Sequence, residues 1–232
     1  MRKLNNYSYI FILTLLSTTT LFSSRVEKDI SSYDFKKVAD SPEVYEFEHF
    51  LTDEECDSII KKAKPDLLRS TVIDTNSSKS LLDTRRTSLG TFFSTQSEIA
   101  AVKKIRSQAE TITGISKKNG EGLQVLYYSI GAEYQPHFDF FDPESPGGLF
   151  HYNRGGQRVA TLLVYLNTPE KGGETIFPKA RVSINPTKGK AVLFYNVDLQ
   201  GRPDPNSFHG GAPVILGEKW IATLWIREQR FR

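Results

Sequence analysis

The polar and apolar positions divide the chain into two unlike parts. From Val44 to Phe50 they alternate, the period of a strand with one buried face. Thr52-Asp53-Glu54-Glu55 then makes a capping-box sequence. Cys56, Ile59, Ile60 and Ala63 follow at helical spacing on one face, and Pro65 predicts the end of that helix. Cys56 therefore reads as a small core residue rather than a reactive thiol. Asp74 to Asp83 is polar and serine-rich, which predicts a mobile loop. Arg86 to Phe93 returns to a strand. Ser97 is placed to cap a second helix with Ile99, Val102, Ile105, Ala109 and Ile112 along one side, and Gly114 stops it. Lys117 to Gly122 is polar and reads as a turn.

After Gly122 the period changes. Leu123 to Ile130, Gln157 to Asn167, Glu174 to Phe177, Ala191 to Asn196, Ala212 to Leu216 and Trp220 to Arg227 are short β-type runs. Turn chemistry separates them: Pro143 with Pro146-Gly147-Gly148, then Gly172-Gly173, Asn185-Pro186, and Gly201 to Asn206. Many short strands after two early helices predict a mainly β fold, a sandwich or jelly roll buttressed by helices. No internal repeat interrupts this pattern.

Composition narrows the picture. At 232 residues the chain is one domain, or one domain plus a small appendage, long enough for a real core. The net charge of +3 and the lack of a basic run with interleaved aromatics argue against a nucleic-acid partner. Cys56 is the only cysteine, so an intrachain disulfide and CxxC chemistry are excluded. Arg2 and Lys3 precede an apolar run from Tyr9 to Phe22 that is short and polar for a membrane span of about 20 residues. Residues 1–24 are therefore read as a signal peptide or signal anchor, 25–42 as a linker, and 43–232 as the main folded domain. The expected location is the secretory pathway, with the membrane touched only through such an anchor. In a eukaryotic pathway Asn76-Ser77-Ser78 would be a glycan acceptor sequence.

The candidate chemistry lies in Gln124 to Asp139, which ends in His137-Phe138-Asp139. On an extended strand, residues two apart face the same side, so an imidazole and a carboxylate can aim at one point. His209, flanked by glycine, is available as a third ligand. Two histidines and one carboxylate leave the remaining positions on a metal open, as in non-haem Fe(II) oxygenases. The chain has four histidines, and His49 and His151 carry no comparable context. Lys219, ten positions beyond His209, reads by itself as a surface hairpin lysine. The functional alternative is a buried cation that needs a carboxylate partner. A dicarboxylate chelating the metal at one end would supply that partner at the other.

Larger segments carry a resemblance. They are Arg86-Thr87-Ser88 with Gly90, Leu123-Gln124-Val125 with Tyr128, and Tyr134-Gln135-Pro136-His137-Phe138-Asp139. They continue with Gly155-Gly156-Gln157-Arg158, Gly172-Gly173-Glu174-Thr175, and His209-Gly210-Gly211-Ala212-Pro213-Val214 with Gly217, Lys219 and Trp220. From about Val44 to Ile226 the chain resembles the short, single-domain prolyl 4-hydroxylases, Fe(II)/2-oxoglutarate dioxygenases that hydroxylate peptidyl proline. The resemblance implies a double-stranded β-helix, the jelly-roll core. It implies His137, Asp139 and His209 as iron ligands, and Lys219, Tyr128 and Thr175 around the distal carboxylate of 2-oxoglutarate. Tyr134 and Arg158 are implied as peptide contacts, Trp225 as an aromatic near the active centre, and the stretch around Arg86 as a loop that closes over peptide. The implied cofactors and cosubstrates are Fe(II), 2-oxoglutarate, O2 and L-ascorbate, and the implied partner is a proline-rich peptide. A monomer or weak homodimer is expected. The chain departs from its relatives at Ala212, where many have cysteine, and at Arg227, where some have histidine. The departure at Arg227 bears on peptide preference. The competing readings are a 2-oxoglutarate dioxygenase acting on a lysyl residue or free amino acid, and a non-catalytic metal-binding jelly roll.

Overall fold

The computed structural model describes residues 31–232 apart from Thr75 and Ser78. The leader expected over residues 1–24 lies outside them. No helix among the described residues is long and apolar enough to cross a membrane.

In chain order the elements are β1 (Phe35–Asp40), β2 (Glu43–Phe47), α1 (Asp53–Ala63), β3 (Leu68–Arg69), β4 (Val72–Ile73), β5 (Ser80–Leu81), β6 (Leu89–Phe93) and α2 (Ala100–Thr113). Then come β7 (Leu123–Tyr128), β8 (Tyr134–His137), α3 (Pro146–Tyr152), β9 (Arg158–Tyr165), β10 (Lys171–Gly172), β11 (Thr175–Phe177) and β12 (Val182–Ile184). The last are β13 (Ala191–Tyr195), β14 (His209–Gly211), β15 (Val214–Leu216) and β16 (Lys219–Arg227). An eight-stranded sheet runs β1-β2-β13-β9-β16-β7-β6-β3, and a four-stranded sheet runs β12-β11-β14-β8. All pairings within them are antiparallel.

The central strands of the large sheet are buried on both faces, and strand parity sorts their residues. On β9, Ala160, Leu162 and Val164 join α1 and α2 in one core, with Ile59, Val102, Ile105 and Ile112. Leu163 and Tyr165 face the other way, into a second core shared with Phe177 and Ile184 of the small sheet. Both faces are apolar, so the strands read as nearly continuous hydrophobic runs. The space between the two sheets is the interior of a jelly roll, as the sequence predicted.

Thr52 caps α1: its side chain accepts from the Glu55 amide while the Glu55 side chain accepts from the Thr52 amide. Burial pushes the Cys56 thiol up to about 11, which keeps it an inert core residue. Several details differ from the sequence expectation. The stretch read as linker contains β1, paired along β2, so the sheet begins upstream of Glu43. The loop from Asp74 to Asp83 carries β5, which pairs with β4. The second helix has Ile99 at its N-cap, and Ser97 accepts from the Ile99 amide one turn earlier. Pro146-Gly147-Gly148, read as a turn, starts α3. Ser145 caps it by accepting from the Gly148 amide, and a proline at the first turn sacrifices no helical hydrogen bond.

Candidate active site

Register builds the site. His209 of β14 lies directly opposite His137 of β8, which brings the ring centroids to 4.5 Å. The two strands can approach because Gly210 has no side chain: a Cβ there would meet the Tyr134 carbonyl oxygen at 2.8 Å. The strand ends at His137, and Asp139 follows just beyond it. One ligand atom from each of His137, Asp139 and His209 lies within 4.8 Å of the others.

The donor set fits a metal. His137 Nδ1 and His209 Nδ1 each lie 2.9 Å from a backbone carbonyl, those of Gln135 and Ser207. A carbonyl only accepts, so each Nδ1 carries the proton and each Nε2 keeps a free lone pair. Burial pushes His209 down to about 4, so its ring is neutral at pH 7. Burial also pushes the Asp139 carboxyl up, but His209, His137 and Arg158 outweigh it and hold it well below the usual carboxylate range. Two imidazoles, each with Nδ1 turned to a carbonyl, and one carboxylate on one face suit Fe(II).

Register also sets the far end of the cavity. Lys219 of β16 lies opposite Tyr128 of β7, and Thr175 of β11 lies opposite Gly211 of β14. Lys219, Ile221, Thr223 and Trp225 share one parity and line a cavity of about 450 Å³, part of it open to solvent. His137, Asp139, His209, Tyr128 and Thr175 line the same cavity. Lys219 is 2% exposed, which removes the surface-hairpin reading. Burial pushes it down to about 8, and Glu174 offsets only part of that. Gly173, with φ at +77°, passes so close that a Cβ would lie 3.0 Å from Lys219 Cδ. Thr175 accepts a hydrogen bond from the Tyr165 hydroxyl at 2.7 Å, a residue the sequence reading did not single out.

Tyr134, Arg86 and Trp225 also line the cavity, and Arg158 stands beside Trp225. Tyr134 stacks on the His137 ring with centroids 3.6 Å apart, and the Arg86 guanidinium lies 4.7 Å from the Tyr134 ring centroid. Arg86 is buried and donates to the Thr71 carbonyl and to Gln124 Oε1. Arg158 lies 3.9 Å over the Trp225 ring, and Glu121 grips it through Nε at 2.6 Å and Nη2 at 3.0 Å. Arg227 shares Glu121, donating from its own Nε at 2.6 Å. The sequence reading missed Glu121. A lone acid in a polar turn gives no signal until β16 folds beside it. His49 and His151 stand apart from the ligand cluster, as expected.

Comparison with known proteins agrees with this geometry. Residues 123–227 match the 2OG-Fe(II) oxygenase superfamily model. The chain is similar to prolyl 4-hydroxylase 2 of Arabidopsis thaliana, 39% identical, with 95% of this chain and 79% of the relative covered. It is also similar to prolyl 4-hydroxylase 5 of that plant, 39% identical over 82% of this chain and 70% of the relative. Among solved structures it resembles the viral collagen prolyl hydroxylase of Paramecium bursaria Chlorella virus-1 in its 2OG complex. That match has a TM-score of 0.62 and 32% identity, covering 82% of this chain and 98% of the other. A Trichoplax adhaerens prolyl hydroxylase shares the fold at a TM-score of 0.58 and 17% identity, over 80% and 83% of the two chains. A jelly roll holding a His-x-Asp…His cluster beside a buried lysine defines an Fe(II)/2-oxoglutarate dioxygenase. The chain belongs to the prolyl 4-hydroxylase family.

Proposed function

We propose that this chain hydroxylates peptidyl proline at C4, consuming O2 and 2-oxoglutarate and releasing succinate and CO2. The observation that carries this is one cavity with the ligand cluster at one end and the buried, unneutralised Lys219 at the other. His137, Asp139 and His209 would hold the iron. Iron with 2-oxoglutarate supplies, when bound, the oxidising power for an unactivated C–H bond. The chain's own residues bind, orient and shield. Lys219 meets the distal carboxylate, and Thr175 and Tyr128 add hydroxyl donors beside it. Apolar neighbours such as Phe194 and Leu126 keep water out of the cavity. Tyr134, Trp225, Arg158 and Arg86 form the peptide side. A proline-rich peptide is already extended, so ordering it there costs little entropy. The proposal extends to L-ascorbate as auxiliary reductant, to work in the secretory pathway on account of the basic, apolar N-terminus, and to a monomer or weak homodimer.

The direct test is incubation of the purified chain with Fe(II), 2-oxoglutarate, O2 and a proline-rich peptide. Succinate release coupled to peptide and a one-oxygen mass gain on proline are the expected result. Coupling only to a lysyl peptide or a free amino acid would replace the substrate, and no coupling would leave a binding module.

Lys219 adds a pH dependence. With its pKa near 8 in the empty cavity, it is protonated at pH 7. A carboxylate brought against it raises that pKa, so binding above pH 8 takes up a proton. Affinity for 2-oxoglutarate is expected to be flat below pH 8 and to weaken about tenfold per pH unit above it. Calorimetry in buffers of different ionisation heat reads the proton uptake. Lys219→Arg, always charged, is expected to remove the slope. A slope unchanged in that variant would move the carboxylate elsewhere.

A further inference from the structure

Behind the ligand cluster lies a buried polar relay that the three ligands alone do not explain. Thr161 Oγ1 lies 2.7 Å from Asp139 Oδ2, and Asn196 Nδ2 lies 2.9 Å from Thr161 Oγ1. Thr161 is 1% exposed and Asn196 is fully buried. We propose that Thr161 and Asn196 are positioning residues that lock the Asp139 carboxylate in one orientation toward the metal. The proposal rests on the metal reading above.

Proton counting fixes the direction of the relay. The Asp139 carboxylate only accepts, so the Thr161 hydroxyl must give it its one proton. The Thr161 oxygen can then only accept, so the Asn196 amide must turn its NH2 toward it. This leaves Asn196 Oδ1 without a hydrogen-bond partner among the described residues. A buried carbonyl left unsatisfied is costly, which is the mark of an amide oriented for something other than its own bonding. The fold does not need the hydroxyl for shape, because valine would fill the same β-branched position on β9.

The frame around the relay is rigid. Thr161 pairs across the sheet with Trp225 of β16, and the backbone N–H of Asn196 donates to the Val159 carbonyl at 2.9 Å. With Oδ2 held by Thr161, the carboxylate cannot rotate without losing that bond. Oδ1 stays 3.6 Å from His137 Nε2, and Oδ2 stays 3.6 Å from His209 Nε2.

The test is titration of the full chain with Co(II), followed by calorimetry and visible absorption. Thr161→Val is expected to weaken Co(II) binding roughly 10–100-fold and to change the absorption spectrum. Thr161→Ser keeps the hydroxyl and is expected to restore both. Asn196→Asp offers Thr161 an acceptor, which competes with Asp139 for the proton, and is expected to weaken binding as Thr161→Val does. Circular dichroism and thermal unfolding check each variant's fold, and Asn196→Asp carries the test if Thr161→Val folds poorly. Wild-type affinity and spectrum in folded Thr161→Val or Asn196→Asp, with His209→Ala still abolishing Co(II) binding, would overturn the relay alone. Co(II) binding that survives His209→Ala would overturn the metal reading and the relay's role with it.

Discussion

Asp139→Ala is expected to abolish succinate release and to weaken divalent-metal binding by more than the roughly 100-fold upper range for a supporting residue. Asp139 is the one anion among the three candidate ligands, and it is 5% exposed. Without it, two imidazoles near one another must hold a dication with no charge to balance it. His137→Ala and His209→Ala are expected to give the same loss for a different reason. Each imidazole is already turned by a carbonyl at its Nδ1, so its Nε2 lone pair is available without reorganisation. Co(II) titration and succinate assay of the three variants read both effects. A variant that retained turnover at the wild-type rate would remove its residue from the ligand set.

The second large effect is on stability. Glu121→Ala is expected to cost about 3–5 kcal/mol, because it leaves two buried guanidiniums without their shared anion. Arg158 and Arg227 both donate to Glu121 Oε1 at 2.6 Å. Burial already pushes Arg227 down to about 10, so a charge without partner there is costly. Against a typical total of about 5–15 kcal/mol, the variant would be marginal. Urea unfolding measures the loss. Acid should reproduce it in the wild type. Burial pushes the Glu121 carboxyl up, but Arg158 and Arg227 outweigh it and hold it below its ordinary 4.5. The folded group therefore binds protons less readily than the unfolded one. Its stabilisation is complete above pH 4.5 and is lost as pH falls through the depressed folded value. Glu121→Gln should flatten that acid limb. An unchanged acid limb would mean that the triad does not govern acid stability. The same triad holds Arg158 against Trp225, so Glu121→Gln is also expected to raise the KM for peptide more than that for 2-oxoglutarate.

Much of this was legible along the chain. The run from Trp220 to Arg227 was legible as a strand, because its apolar stretch is bounded by turn residues. The capping box and the Cys56–Ile59–Ala63 face set α1, because both depend on neighbours within one turn. The strand β1 was not legible, since its exposed, polar residues gain their ladder only by pairing with β2. The start of α3 was hidden because proline and glycine serve turns and helix N-termini alike.

What the sequence determined by itself was the set of donors: His137-x-Asp139, a distant glycine-flanked histidine, and a lysine in an apolar run. What only the tertiary structure decided was which of them meet. The pairing of β14 with β8 sets His209 against His137, and the pairing of β16 with β7 turns Lys219 from a surface lysine into a buried cation. Glu121, Thr161 and Asn196 entered the site only there. Local order depends on a few adjacent residues, whereas a shared cavity depends on the register of strands far apart in the chain, and one step of register turns every side chain to the other face.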